Sequence, residues 1–285
     1  MNGGKRMSNL FSGLEAMGLG NLTNIDVYEE KEKKETTNNT RTQVETFSEE
    51  NAIFDQTYNC PVCDREFKAK KVKAGRAKLL DMDSDLRPRY KHIDPLKYDA
   101  IACPHCGYAA IVRFFKYVTD TQAGLIKNNI SSTFKGLKES DGIIDYDEAI
   151  AKHKLALVNS IVKKAKTSER AYTCLKTAWV IRGKAENLSK DTPDYNKVIA
   201  SLKKEEIEFI TKAYEGFKEA FLKETFPMCG MDENTTTLLV ADLARQTGNY
   251  DEAGRWVSKL LVSRDASERI KEKARDIKEL LLDNK

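Results

Sequence analysis

The chain has no long apolar run. None of its 285 residues belongs to a stretch approaching ~18 uninterrupted apolar positions, which excludes a membrane-spanning helix. Its first residues, from Met1 to Leu22, hold no sustained apolar segment, so no secretory signal is expected. Asn2 stands where N-myristoylation needs glycine. A phosphate loop is missing too, because Gly3-Gly4-Lys5-Arg6 has neither the preceding strand nor the spaced glycines. No acid–base pair or nucleophile elbow stands out, so an enzyme is not expected. There is little charge of one sign: 48 Lys and Arg against 44 Asp and Glu leave +4, unlike a nucleic-acid-binding composition. With 40% hydrophobic and 32% charged residues the chain is polar but not of disordered composition. Its length allows one large domain or two ordinary ones, with a core that needs no disulfide staples.

The small net charge hides an uneven distribution. Residues 1–59 sum to −4, residues 60–118 to +6 and residues 119–285 to +2. Residues 1–50 read as a low-complexity or partly disordered lead-in. Leu10, Phe11, Leu14 and Met17 have the spacing of a short amphipathic helix, and the stretch 29–43 is a polar linker. Residues 51–118 read as a small β module. EFKAKKV (66–72) is a weak strand, and YDAIACPHCGYAAIVRFF (98–115) is rich in strand formers around one tight turn. Between them, residues 81–96 carry two prolines and no period, which predicts an insertion loop.

Within this module lie the residues that carry chemistry. Cys60-Pro61-Val62-Cys63 and Cys103-Pro104-His105-Cys106-Gly107 are two C-x-x-C pairs separated by 39 residues. Such pairs offer four thiolates to one tetrahedral zinc ion, at Zn–S distances of ~2.3 Å. Gly107 after the second pair suits a turn with positive φ, and Asp64 in the matching place after the first also tolerates it. Four cysteine ligands close the coordination shell, so the expected ion is structural. Cys103-Pro104-His105-Cys106 also has the shape of a dithiol redox motif, which would sit at a helix start after a strand. His105 is expected to lie exposed or locally bonded, His92 is the reserve ligand, and His153 is a packing or surface residue on a helix. Cys174 and Cys229 read as ordinary buried thiols. The seven basic residues from Arg65 to Lys78 could offset the thiolate charge or contact a nucleic-acid backbone, although Asp81, Asp83 and Asp85 follow at once.

From about residue 119 the apolar period becomes helical. The segment 147–165 puts Ile150, Leu157 and Ile161 on one face. The segment 168–182 carries Ala171, Leu175, Ala178 and Trp179 behind a Ser168 cap, and 195–225 carries Ile207, Ile210, Tyr214, Phe217 and Phe221. Residues 235–261 have the build of a tetratricopeptide repeat, with Ala241, the Gly248 turn, Ala253, Trp256 and Val257. Asp145-Tyr146-Asp147-Glu148-Ala149 echoes the start of the second helix of such a unit. The alternative is a plain antiparallel bundle.

The two cysteine pairs with Phe67, together with Asp83-Ser84-Asp85-Leu86, Tyr90, Asp94-Pro95-Leu96-Lys97-Tyr98-Asp99 and Gly107-Tyr108-Ala109-Ala110, resemble the bacterial family DUF2225 over about residues 52–260. That resemblance implies a cytoplasmic bacterial protein and carries no activity. The fold expected is mainly α, a small zinc-ribbon-like β module (51–118) ahead of a helical tetratricopeptide-like body (119–285). The function expected is a non-enzymatic zinc-binding adaptor with Zn2+ on Cys60, Cys63, Cys103 and Cys106, and with a helical groove for a protein partner. Nucleic-acid binding through 65–78 and thiol redox chemistry are the alternatives.

Overall fold

A computed structural model describes residues 47–137 and 140–282. The expected amphipathic stretch around Leu10 to Met17 and the polar linker at 29–43 lie outside the described residues. A single helical turn, α1 (Glu49–Ala52), leads into β1 (Ile53–Asn59), which pairs antiparallel with β2 (Glu66–Val72). Next come the hairpin β3 (Lys78–Met82) and β4 (Pro88–Lys91), a 3-10 turn over Pro95–Tyr98, and the short hairpin β5 (Ala100–Ala102) and β6 (Ala109–Ile111). Each of these sheets has two strands. Two-stranded sheets this small are not stable alone, and here β5 and β6 pack against α3. The described residues cluster as one compact unit.

After β6 the chain is helical: α2 (Asp120–Ile126), a π turn (Lys127–Ser131), α3 (Tyr146–Val162), α4 (Thr167–Asn187), α5 (Tyr195–Lys223), α6 (Glu233–Gln246), α7 (Tyr250–Val262) and α8 (Glu268–Leu282). From α3 onward each helix packs against the next. The small β module ahead of a mainly helical body is the architecture the sequence predicts. Helix α4 lies at the centre of it. Ala171, Leu175, Ala178, Val180 and Ile181 are buried, and so are Thr173 and Thr177. Those two hydroxyls donate to the carbonyls of Glu169 and Thr173 one turn back, so their burial leaves no orphaned donor. At the α4–α5 contact a Cβ on Gly216 would stand 2.8 Å from that of Ala171, so glycine sets how closely the helices approach.

Several local expectations are corrected. Residues 81–96 are not a loop throughout: Asp81 and Met82 end β3, and Pro88–Lys91 form β4 and pair back onto it, leaving 83–87 as the connecting loop. The pairing escapes a period-based reading because Leu79, Leu80 and Asp81 are all exposed, so no alternation marks the strand. Ser168 does not cap α4. It lies in the first turn after Lys166, and its N–H and hydroxyl both donate to the Glu224 carboxylate beyond α5. Ile161 and Ile207 fall on exposed positions of α3 and α5. Asp145 does cap a helix, by accepting from the Glu148 N–H, but α3 is the first helix of the α3–α4 pair and not the second of a repeat.

Two sets of buried charges tie the β segments to the helices and the helices to one another. In the first, Arg182 on α4 donates to Glu206 (2.6 Å), to both oxygens of Asp85 (2.7 and 3.2 Å), to Asp83 (3.2 Å) and to Gln246 (3.3 Å). It thereby joins the β3–β4 loop to α4, α5 and α6. Asp85 is fully buried. Burial alone would raise its carboxyl pKa, but the Arg182 charge beside it holds it below the usual carboxylate range. The second set lies on α3, whose buried face is largely polar. Lys152 pairs with Glu148, Lys176 of α4 pairs with Asp99, and Lys163 pairs with Glu169. Among them His153, fully buried, donates Nδ1–H to the Ala149 carbonyl (2.7 Å). Burial pushes its pKa down to about 4.

Removing one partner of a buried ion cluster leaves the other uncompensated. Arg182→Ala should therefore cost about 3–5 kcal/mol in urea unfolding, and Arg182→Met with Asp85→Leu clearly less. The pH dependence has a defined sign. The folded His153 pKa lies below its ordinary 6.5, so the unfolded chain takes up the proton first as pH falls. Stability contributed here is complete above pH 6.5 and declines toward pH 4, by about 3 kcal/mol. Between pH 6.5 and pH 4 the protein should lose about 3 kcal/mol more stability than His153→Gln, read from melts across that window.

Candidate metal centre

Each cysteine pair occupies the turn of a β hairpin. Cys60 and Cys63 lie between β1 and β2, and Cys103 and Cys106 between β5 and β6. The two turns share one hydrogen-bond plan. The Asp64 N–H donates to the Cys60 carbonyl (2.9 Å), and the Gly107 N–H to the Cys103 carbonyl (3.0 Å). The Cys60 N–H donates to the Arg65 carbonyl (3.0 Å), and the Cys103 N–H to the Tyr108 carbonyl (2.8 Å). Closing the turn this way sends the residue after each pair into the left-handed region, at φ 58° for Asp64 and 73° for Gly107. Aspartate and glycine are residues that accept it. Backbone N–H groups then point at sulfur: those of Val62 and Cys63 at Cys60, and those of His105 and Cys106 at Cys103.

All four sulfurs converge. Cys60 Sγ lies 3.6 Å from Cys106 Sγ, Cys63 Sγ lies 3.7 Å from Cys103 Sγ, and every pair is within 4.8 Å. These are free thiols, far beyond the ~2.04 Å of a disulfide. Cys60, Cys103 and Cys106 are buried and Cys63 is half-buried. Hydrogen bonds from Cys106 and Cys60 hold the Cys103 thiol far below its ordinary pKa, and the same contacts push Cys60 and Cys106 up. Thiols this close share protons, and a dication lets all four ionise together. The cluster has the geometry to hold a metal ion.

The sequence model of DUF2225, described as an uncharacterized protein conserved in bacteria, matches residues 53–281. The chain belongs to this family. No curated protein and no solved structure matches it. The DUF2225 match spans both the β module and the helices, so the cysteine turns and the body that carries them form one family unit.

In this DUF2225 chain the other residues singled out by sequence are dispersed. His105 is exposed, with Nε2 3.3 Å from the Glu66 carbonyl. His92 stacks on Phe47, and His153 is enclosed by α3 and α4, so neither joins the sulfur cluster. Cys174 is buried in the helical core, while Cys229 donates to the Ser168 carbonyl at 3.3 Å. Burial pushes Cys174 up to about 11 and Cys229 up to about 12. The basic run divides. Lys70 pairs with Asp55 (2.8 Å), and Lys68 and Lys70 share a cleft with Asp55, Asp141 and Glu148. Lys73 reaches the Asn51 carbonyl.

The support around the second turn was not visible in the spacing. Asn159 of α3 donates to the Gly107 carbonyl (3.0 Å), and Ser131 of the π turn donates to the Cys106 carbonyl (2.8 Å). Tyr108 is fully buried and donates to the Phe115 carbonyl (2.9 Å), inside an aromatic group with Tyr58 and Phe67. The only sequence hint was the aromatic density around the turns, since Ser131 and Asn159 lie 25 and 52 residues from their partners.

The two turns should differ in tolerance. A Cβ on Gly107 would stand 2.6 Å from the Phe134 ring, and its φ is positive. Gly107→Ala should lower stability by at least about 1–2 kcal/mol from backbone strain alone, and weaken metal retention against a chelator. Asp64→Gly should stay within about 1 kcal/mol of the parent in the same melts.

Proposed function

We propose that Cys60, Cys63, Cys103 and Cys106 hold one structural Zn2+ and that the protein is a non-enzymatic adaptor built around it. The observation that carries this reading is the sulfur spacing. A tetrahedron with ~2.3 Å Zn–S bonds has edges of ~3.8 Å, and the contacts between the two turns are 3.6 and 3.7 Å. Thiolate donors in a tetrahedral arrangement favour zinc over harder cations. Four protein ligands leave no position for substrate, so the ion would act by joining two hairpins. Linking segments 39 residues apart removes unfolded-state freedom and makes metal binding part of folding. The protein partner would dock on the body of stacked helices, whose α6–α7 hairpin is the tetratricopeptide-like part. There Ala241 and Ala253 are fully buried and Gly248 turns the chain at φ 76°. Six free thiols suit a reducing compartment, so we place the protein in the cytoplasm. No helix among the described residues is long and apolar enough to cross a membrane.

The thiol-redox alternative has less support, because the Cys103–Cys106 turn sits in a β hairpin and each of these sulfurs has a close neighbour on the other turn. The nucleic-acid alternative is weakened where Lys68 and Lys70 face carboxylates of the same chain. Native mass spectrometry of protein purified under reducing conditions without chelator should find one zinc per chain. Cys103→Ser should release it and lower the melting temperature. A metal-free parent with reactive thiols, or a variant that keeps both zinc and melting curve, would overturn this reading.

A further inference from the structure

The β3–β4 hairpin is held firmly at one end and left bare at the other. Its loop is fixed by Arg182 on Asp83 and Asp85, and by Arg87 and Arg89 on Glu186 (2.9 and 2.8 Å). Among the described residues strand β3 nevertheless pairs with β4 alone and is exposed from Lys78 to Asp81, with Leu79 at 50% and Leu80 at 60% exposure. The ladder shifts register between Leu79 and Asp81, so Leu80 stands without a cross-strand partner. Such bulges re-aim side chains at functional edges. Lys78 lies directly opposite Lys91, a like-charge pair that destabilises a ladder. Arg76, also exposed, precedes the strand. A free edge with two exposed leucines and adjacent cations is an open template for another strand.

We infer that the outer edge of β3 is a docking site for an extended acidic polypeptide segment that adds as a third strand. Main-chain pairing would supply affinity, the two leucines would cover aliphatic side chains of the partner, and its carboxylates would relieve the Lys78–Lys91 repulsion. Aliphatic side chains decide against a nucleic acid, which would need aromatic faces for its bases. The like charges decide against a second copy of the chain, which would bring more cations to the edge. This inference rests on the adaptor reading and adds to the helical body a second docking surface, on the β module, with its partner chemistry.

The test is a random peptide library displayed on phage and panned against the full zinc-loaded chain, with the selected peptides then synthesised and titrated by fluorescence anisotropy. Acidic peptides with aliphatic residues are expected, binding more weakly as salt rises. They should slow amide exchange along β3. Lys78→Glu with Lys91→Glu, and separately Leu80→Asp, should weaken them about tenfold or more at an unchanged melting temperature, because these side chains are exposed. Selected peptides that bind all variants equally would overturn the β3 site while leaving an adaptor with another surface. Failure to select any binding peptide would count against both. Light scattering that shows a dimer dissolved by Leu80→Asp would assign the edge to a second copy and overturn the acidic-segment inference. So would tight binding of a mixed-sequence single-stranded oligonucleotide that the charge reversals abolish.

Discussion

The convergence of four sulfurs from two hairpins is the constraint on which the β module depends. None of its three sheets exceeds two strands, and none has a core of its own. The cysteine turns bring β1–β2 and β5–β6 together where no strand pairing joins them. The aromatic group of Tyr58, Phe67, Tyr108 and Phe115 packs beside the sulfurs and shares their burial. Hydrogen bonding then extends the constraint outward. Asn159 and Ser131 clamp the second turn onto α3 and the π turn, so the sulfur cluster is tied to the first long helix.

Buried charge plays the complementary part where the β segments meet helices. The faces of α3 and α4 that receive the module carry Glu148, Lys152, His153, Lys163 and Lys176, where an apolar seam would be the simpler choice. Ion pairs of this kind contribute little net stability. The Lys176–Asp99 pair penalises a misplaced β segment, since moving it would leave a buried charge unpaired. Arg182 does the same for the hairpin loop, whose backbone has no other fixed support from three helices at once. The price in desolvation is offset only because each cation meets its carboxylate at hydrogen-bond distance.

Much of the candidate site was legible in the chain. The spacing of Cys60, Cys63, Cys103 and Cys106 and the positive-φ residues Asp64 and Gly107 follow from chemistry confined to a few neighbouring positions. The long helices were legible for the same reason, through the period of Ala171, Leu175 and Ala178 or of Ile210, Tyr214 and Phe217. What escaped was whatever lacked such a local signature. The β3–β4 hairpin has no alternation because β3 buries almost nothing. The polar inner face of α3 reads as a solvated face, so the period points Ile161 inward and does not place His153. Ser168 reads as a cap because its partner, Glu224, is 56 residues away and leaves no local trace.

The sequence by itself therefore determined the four-cysteine cluster, the turn geometry around it and the division into a small β module and a helical body. These rest on side-chain identity, φ preference and periodicity, all short-range properties. The tertiary structure alone decided which charges are buried, which turns receive second supports, and which strand is left with a free edge. Those outcomes depend on what a distant segment brings to the same place, and one chain position carries no record of that.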